Sequence, residues 1–208
     1  MIVLADDLVL LAPTASALRK MLAICDVYAA EYSVSFNAQK SKCFVILSNA
    51  CRYLRPLLQD NVFYVDGKPI DFVSSFPHLG HVITDTLDDG PDITKRLGNF
   101  IGQVKDVLCF FGKVSCDVKA RLFRAYCTSF YGCELWDLSR GSLSAFCTAW
   151  RKALRCIWNL PYRTHCHLLP LLCNCMLVFD EICKRSLSSC KHVCFIIPRL
   201  FVLLPSFL

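Results

Sequence analysis

The first part of the chain alternates between short apolar runs and polar turns. Apolar residues 2–4 and 8–11 flank two adjacent acids, Asp6 and Asp7, and this pattern predicts strand, tight turn, strand. Thr14 follows as a candidate helix cap, and apolar residues then recur at three- and four-residue spacing as far as Tyr32. The spacing predicts an amphipathic helix over one face of a sheet, with the inward stripe Ala17, Leu18, Met21, Leu22, Cys25, Tyr28 and Ala29.

Residues 34–84 show further strand patterns separated by turns. Val34 and Phe36 alternate with serines, and residues 43–47 form a continuous apolar run, so both stretches predict strands. Residues 48–61 indicate only a polar connection. The pair Asp66-Gly67 between two β-prone runs predicts a hairpin, and residues 72–84 predict another strand pair. The first part is therefore predicted to be an α+β layer.

Beyond an acidic Gly-Pro boundary at residues 88–92, the pattern becomes helical. One face continues through Ile93, Leu97, Phe100, Val104, Val107 or Leu108, and Phe111. Ser115 is predicted to cap a second helix that reaches about Tyr131, and a third helix is predicted over residues 142–158. The inward residues of the second helix are predicted to be Val118, Leu122, Ala125 and Tyr126.

Composition excludes a disordered chain and argues against a disulfide framework. The 208 residues are 55% hydrophobic and 19% charged. Fifteen cysteines would suit a small secreted scaffold, but the first residues enter a strand without the pattern of a signal peptide. Many of the cysteines lie inside apolar runs, where thiols behave as small buried hydrophobes. We expect a reducing intracellular setting, nuclear or cytoplasmic, and not secretion.

Charge is distributed unevenly along the chain. Residues 1–86 carry 7 Lys/Arg and 8 Asp/Glu, whereas residues 87–208 carry 16 and 9, so their net charges are −1 and +7. A basic second half suits helices that lie along a polyanion, and solvated basic helix faces are the alternative. Asp6 and Asp7 offer the carboxylate oxygens that Mg²⁺ prefers, and an acidic hairpin tip facing water is the alternative there.

Several motifs resemble those of reverse transcriptases, in the same order along the chain. Ala5-Asp6-Asp7 between apolar strands resembles their acidic hairpin, with Leu4 in place of the usual aromatic residue. Phe-Asn-x-x-Lys40-Ser resembles the motif that follows, and His78-Leu79-Gly80 resembles the primer grip. Residues 121–136 and 150–165 resemble the thumb of LINE-type (non-LTR retrotransposon) reverse transcriptases, and the resemblance extends over about residues 1–189.

The resemblance implies a partial polymerase palm, built from β-hairpins and a helix, followed by an α-helical thumb bundle. The implied domains are the carboxy-terminal part of the palm at residues 1–86, the thumb at 87–163, and a post-thumb segment with an apolar tail at 164–208. Mg²⁺ is the implied cofactor, with Asp6 and Asp7 as its ligands, and Lys40 is implied to approach the nucleotide phosphates. The implied nucleic-acid-binding residues are Lys95, Arg96, Lys105, Lys119, Arg121 and Arg124.

The implied partners are an RNA template and a DNA primer, with no small-molecule cofactor and no membrane. In the family the third metal-binding carboxylate and the fingers come before the acidic hairpin, where this chain begins. We therefore expect a polymerase fragment that is inactive alone. The alternatives are a non-catalytic nucleic-acid-binding remnant and a relic without function. A missing sheet partner would leave residues 2–4 or 8–11 as an apolar strand edge that favours aggregation.

The last residues are strongly apolar. Residues 193–208 are broken by Pro198, Arg199 and Pro205 and fall short of the roughly 20 residues that a spanning helix needs. We therefore favour an aberrant terminus of a degraded element copy over a membrane anchor. A zinc site is the alternative to free thiols for Cys166, Cys173, Cys175, Cys183, Cys190 and Cys194 with His165, His167 and His192, although their spacing lacks paired Cys-x₂-Cys.

Overall fold

The computed structural model describes residues 2–4, 7–47, 62–138, 143–190 and 201–207; for residues 2–4, 7, 188–190 and 201–207 it describes the backbone alone. The chain divides into two compact units. The sheet unit comprises Met1–His78, Ile83–Leu87 and Phe195–Leu208, and the helical unit comprises Leu79–Val82 and Asp88–Cys194. Strands and helices both contribute, which confirms a mixed α+β class.

A five-stranded sheet forms the frame of the sheet unit. Its strands are β1 (Ile2–Leu4), β2 (Asp7–Ala12), β3 (Phe36–Val45), β6 (Asp71–Phe72) and β9 (Phe201–Phe207), in the order β1-β2-β9-β3-β6. The antiparallel pairing of β1 with β2 confirms the hairpin predicted at the start of the chain. Of the two alternatives predicted for a strand edge, residues 8–11 are paired on both sides, because β2 also pairs with β9, whereas residues 2–4 belong to β1, the terminal strand of this order.

Helix α1 (Ala15–Tyr32) covers one face of this sheet. The Thr14 hydroxyl accepts a hydrogen bond from the Ala17 amide at 3.1 Å, as its position before the helix predicts. Leu18 and Leu22 are buried against the inward residues of β2 and β3. Tyr28, expected in the stripe, is instead 50% exposed and contacts Tyr32 in a tilted ring pair with centroids 4.5 Å apart.

Alternate residues of β2 are buried on opposite faces, which is why residues 8–12 form a continuous apolar run. Leu8 and Leu10 pack with α1, whereas Val9 packs with Phe44 on the other face. The single strand β3 (Phe36–Val45) replaces the two predicted strands, because a register shift within it takes up the polar residues between its apolar ends.

Two short hairpins follow. β4 (Tyr64–Val65) and β5 (Lys68–Pro69) flank Asp66 and Gly67, whose φ angles of 52° and 69° are both positive, as the Asp-Gly pair predicts. β7 (Ser75–His78) and β8 (His81–Thr84) form the second two-stranded sheet. Leu79 and Gly80 occupy its turn with φ angles of 48° and 81°.

The helical unit contains α2 (Gly90–Phe110), α3 (Cys116–Leu122), α4 (Ser144–Ile157), α5 (Leu169–Cys173) and α6 (Val178–Cys190). Short 3₁₀ turns lie at Cys133–Leu135 and Cys166–Leu168. Its core is built around aromatic rings. Phe100 of α2 stacks on Trp150 and Phe146 of α4, with both ring-centroid distances 5.4 Å.

The predicted inward face of the second helix is wrong at three of its four positions, while Leu122 is half-buried and packs against the core. Val118, Ala125 and Tyr126 are exposed, and the chain buries Phe123 and Cys127 instead. The helix passes from α-helical to wider π-helical geometry over Phe123–Cys127, which rotates the following residues relative to a regular 3.6-residue repeat. The helix consequently ends near residue 127 rather than at residue 131.

The predicted apolar face of α2 is buried as far as Val107 but not at its end. Phe111 lies one residue beyond the helix, at its cap, and is 42% exposed. Its amide donates a hydrogen bond to the Val107 carbonyl. The side chain has left the helical repeat at this point, so the periodicity no longer directs it toward the core.

Cysteines with described side chains are free thiols. Burial raises the pKa of the Cys43 thiol to about 12 and the pKa of the Cys127 and Cys133 thiols to about 11. These three residues therefore stay protonated at neutral pH and act as small apolar core residues, as their apolar sequence neighbours predict.

Within the described residues, no single helix has both the length and the apolar composition to cross a membrane; one bent pair, Cys166–Cys173 with Val178–Leu187 at 65°, reaches those limits only when its members are taken together.

Candidate functional site

The sheet brings the backbone of Asp7 and the start of the Lys40 motif to the same end. Leu4 of β1 pairs with Asp7, the first residue of β2. Asp7 pairs with Ser206 of β9, and Ser206 pairs on its other side with Asn37 of β3. Two strand spacings of about 4.8 Å separate the backbones of Asp7 and Asn37 by roughly 10 Å. Asp6 and the Asp7 side chain lie outside the described part.

A bulge in β3 presents Lys40. The Asn37 side-chain oxygen accepts a hydrogen bond from the Lys40 amide at 3.1 Å, and the Ser41 hydroxyl donates to the Asn37 carbonyl at 2.8 Å. Ser41 is fully buried, while Lys40 is exposed. The asparagine and the serine of the motif thus hold the backbone, and the lysine side chain faces solvent.

The neighbouring lysine is engaged elsewhere. The Lys42 ammonium lies 2.7 Å from the Asp71 carboxylate on the adjacent strand β6. The Asp71 side chain is 75% exposed, so this ion pair contributes little to stability. Because Lys42 is paired with Asp71, the exposed Lys40 is the candidate for phosphate contact in this bulge.

Basic side chains of α2 hold the turn of the predicted primer grip. The Gly80 carbonyl accepts hydrogen bonds from Arg96 Nη2 at 2.7 Å and Lys95 Nζ at 3.4 Å. Gly80 has a positive φ, and a Cβ added to it would lie 3.5 Å from the Tyr131 ring. Leu79 is 44% exposed at the same turn. His78 is half-buried and belongs to the sheet unit.

A buried carboxylate joins this turn to the start of α2. Asp92 is fully buried and accepts hydrogen bonds from the Val82 amide at 3.0 Å and from Trp136 Nε1 at 2.9 Å. His81 Nδ1 and Arg96 Nε lie 3.2 Å and 3.6 Å from Asp92 Oδ2. We name Asp92, His81, Arg96 and Trp136 the Asp92 cluster.

Asp89 lies beside the Asp92 cluster. Burial raises the pKa of the Asp89 carboxyl above its ordinary value, opposed by the hydrogen bond that the Asp137 amide donates to it at 2.7 Å and by His81 nearby. Sequence analysis missed both aspartates as site residues. For Asp92 the sequence did contain a signal, because this acid in the first turn of a helix is followed by Arg96 four residues later.

Four of the six predicted nucleic-acid-binding residues also contact backbone carbonyls. Lys95 and Arg96 bind Gly80, as above, and Lys119 Nζ lies 3.4 Å from the Gly112 carbonyl. Arg124 Nη2 donates to the Cys173 carbonyl at 3.0 Å, and its guanidinium lies over the Trp158 ring. Lys105 and Arg121 are exposed on α2 and α3.

Metal ligation stays a prediction. Among residues with described side chains, no group of three or more His, Cys, Asp or Glu is placed to hold a metal ion. His165 and His167 stack on one another at 5.1 Å. Of the candidate zinc ligands, His192, Cys194 and the side chain of Cys190 lie outside the described part, as does the Asp6-Asp7 carboxylate pair.

No protein-family model, no curated protein and no solved structure matches this chain.

Proposed function

We propose that the chain is the carboxy-terminal palm and thumb portion of a LINE-type RNA-directed DNA polymerase, and that it is inactive alone. The observation that carries this proposal is the shared partner Ser206, which aligns Asp7 with Asn37 across β9. The alignment supports an acidic turn and an exposed Lys40 at one end of the sheet. A primer terminus and a nucleotide triphosphate need acidic and basic groups together in this way.

The chemistry assigned to these residues is phosphoryl transfer. The Asp6 and Asp7 carboxylates have the oxygen ligands that Mg²⁺ binds, and bound Mg²⁺ would supply charge neutralisation at the reacting phosphates. Lys40 would stabilise charge that develops on the pyrophosphate leaving group. Two adjacent carboxylates at one turn give an incomplete ligand set for a two-metal site, so the chain binds nucleic acid without extending it.

One photo-crosslinking experiment tests the proposal. A primer on an RNA template, with a photoreactive nucleotide at its 3′ end, is irradiated with the full chain in Mg²⁺. We expect crosslinks to the turn that contains Leu79 and Gly80, and no primer extension when nucleotides are added. The same photoreactive group at the primer's 5′ end is the control. Crosslinks that are equally frequent from both ends contradict the assignment of the primer grip.

A second experiment tests whether Asp6 and Asp7 alone can support primer extension. The Asp6→Asn variant removes one carboxylate charge from the turn with little change in volume. We expect the same absence of product with this variant and with the unchanged chain. Incorporation by the unchanged chain that disappears in the variant would show that the two carboxylates suffice.

The second candidate, a non-catalytic nucleic-acid-binding remnant, is favoured by exposed basic residues on the helical unit. Lys105 and Arg121 are exposed there without a base-reading motif beside them. Phosphate contacts would give strong salt dependence and little sequence preference. A relic without function would bind no duplex at all.

We predict that changing Lys105 and Arg121 together to Ala weakens binding to all duplexes alike. Each lost phosphate contact should reduce the slope of log affinity against log salt by about 0.9. Arg124 is unsuitable for this test because its guanidinium also bonds to the Cys173 carbonyl. The control changes Lys20 and Lys68, two exposed lysines of the sheet unit, to Ala. Equal slopes for both double variants, measured by fluorescence anisotropy, would contradict phosphate contact by Lys105 and Arg121.

A further inference from the structure

We propose that residues 201–207 are a donor strand, which fills a strand-shaped gap between β2 and β3 and recognises it by register. This segment is the last described strand along the chain and the central strand of the five-stranded sheet. The gap is a binding site for one specific occupant, the chain's own apolar tail.

The donor strand is bonded on both of its edges. Leu203 pairs with Leu10 of β2 on one side and with Cys43 of β3 on the other. Both neighbours run antiparallel to it, so β2 and β3 are joined through β9 in the described sheet. Without β9, the inner edges of β2 and β3 would each present unpaired N–H and C=O groups, which is costly in a buried strand and favours pairing with other chains.

Pro205 provides the evidence that the fit is specific. Proline has no N–H to donate, so it is normally excluded from central strands. Here the pairing with β3 shifts between Asn37 and Lys42, so that residues 38–41 lie opposite Pro205 alone. The bulge meets part of its own hydrogen-bonding capacity through Asn37, which accepts from Lys40 and Ser41. The bulge of β3 therefore lies opposite the position where β9 has no N–H group to donate.

On the other edge, the register also accommodates the proline. Asp7 pairs with Ser206, and Leu10, Leu11 and Ala12 pair with Leu203, Val202 and Phe201. Residues on both sides of Pro205 thus pair with β2, whereas Pro205 itself lies between the paired positions. An apolar strand with a proline at one of the paired positions would lose a backbone hydrogen bond to β2 or β3.

Exchanging two residues tests the register in the full chain. The double variant Leu203→Pro with Pro205→Leu keeps the composition but moves the proline between Leu10 and Cys43. We expect hydrogen exchange of the amides at residues 8–12 and 42–45 to accelerate by about tenfold to a hundredfold, as the loss of one buried hydrogen bond requires. Exchange in α2 and α4 is the internal control and should not change.

Supplying the strand in trans tests the gap itself. A chain ending at residue 200 is mixed with a synthetic peptide of residues 201–208, or with the same peptide carrying the exchanged proline. We expect saturable one-to-one binding of the first peptide, with restored protection at residues 8–12 and 42–45, and at least tenfold weaker binding of the second. Equal binding of both peptides, or full protection without any peptide, would overturn the proposal.

Two further outcomes are decisive. If the shortened chain aggregates before peptide is added, the full-length exchanged variant still decides, because unchanged protection in it would overturn the assignment. If the full chain forms dimers that disappear on shortening to residue 200, the strand is donated to a second copy, and the intramolecular assignment is wrong.

Discussion

Replacing Asp92 by alanine is expected to lower the free energy of unfolding of the helical unit by about 3–5 kcal/mol, the usual cost of removing one partner of a buried charged pair. Its carboxylate accepts from the Val82 amide and from Trp136 Nε1, and it faces the charged Arg96 and the His81 ring. Alanine would leave buried donors unsatisfied and the guanidinium without its nearest negative charge.

Denaturant unfolding followed by tryptophan fluorescence measures this effect. The three tryptophans, at positions 136, 150 and 158, are all in the helical unit, so the signal reports on that unit alone. The Asp92→Asn variant is the matched control, since it keeps an accepting oxygen but removes the charge. We expect the Asp92→Asn variant to lose less unfolding free energy than the alanine variant. A change below about 1 kcal/mol for Asp92→Ala would show that the Asp92 cluster is not a stabilising centre.

Replacing Trp150 by alanine is expected to cost about 3–5 kcal/mol as well, through the cavity that it leaves. Trp150 is 1% exposed and contacts the rings of Phe100, Phe123 and Phe130. Its Nε1 also donates to the Met176 carbonyl at 3.2 Å. The substitution thus removes the ring that connects α2, the π-helical turn and α4.

Circular dichroism at the helical wavelength follows this loss without using the removed fluorophore. Tyr162→Ala is the control, because that side chain is 85% exposed and should change stability by no more than about 0.5 kcal/mol. The stability of the Trp150→Phe variant should lie between those of these two variants, since phenylalanine keeps an aromatic ring but loses the hydrogen bond to the Met176 carbonyl. Equal melting of the alanine variant and the unchanged chain would contradict this core.

Local sequence signals predicted the elements whose causes are local. Thr14 caps α1 as expected, and Asp66-Gly67 makes its turn with two positive φ angles. The predicted second-helix face was wrong at Ala125 and Tyr126 because the π-helical turn at Phe123–Cys127 departs from the repeat on which the prediction rests. Nothing in a 3.6-residue pattern reports such a change of geometry.

Long-range pairings were beyond the sequence patterns. Pro205 argues against a central strand, and the bulge opposite it, 164–167 positions earlier in β3, makes such a strand possible. The candidate site shows the same division. Lys40 was identified from a local motif, whereas the Asp92 cluster depends on Trp136, which is 44 residues away from Asp92 in the chain.

The position of the donor strand also has a consequence for synthesis on the ribosome. Leu10 meets Leu203, 193 positions later, so the sheet cannot be completed until those residues have emerged. The core of the helical unit draws on residues 93–182 and is available to fold first. A stop codon between residues 183 and 201 would thus release a chain with a folded helical core and two open strand edges, a substrate for chaperones and proteases.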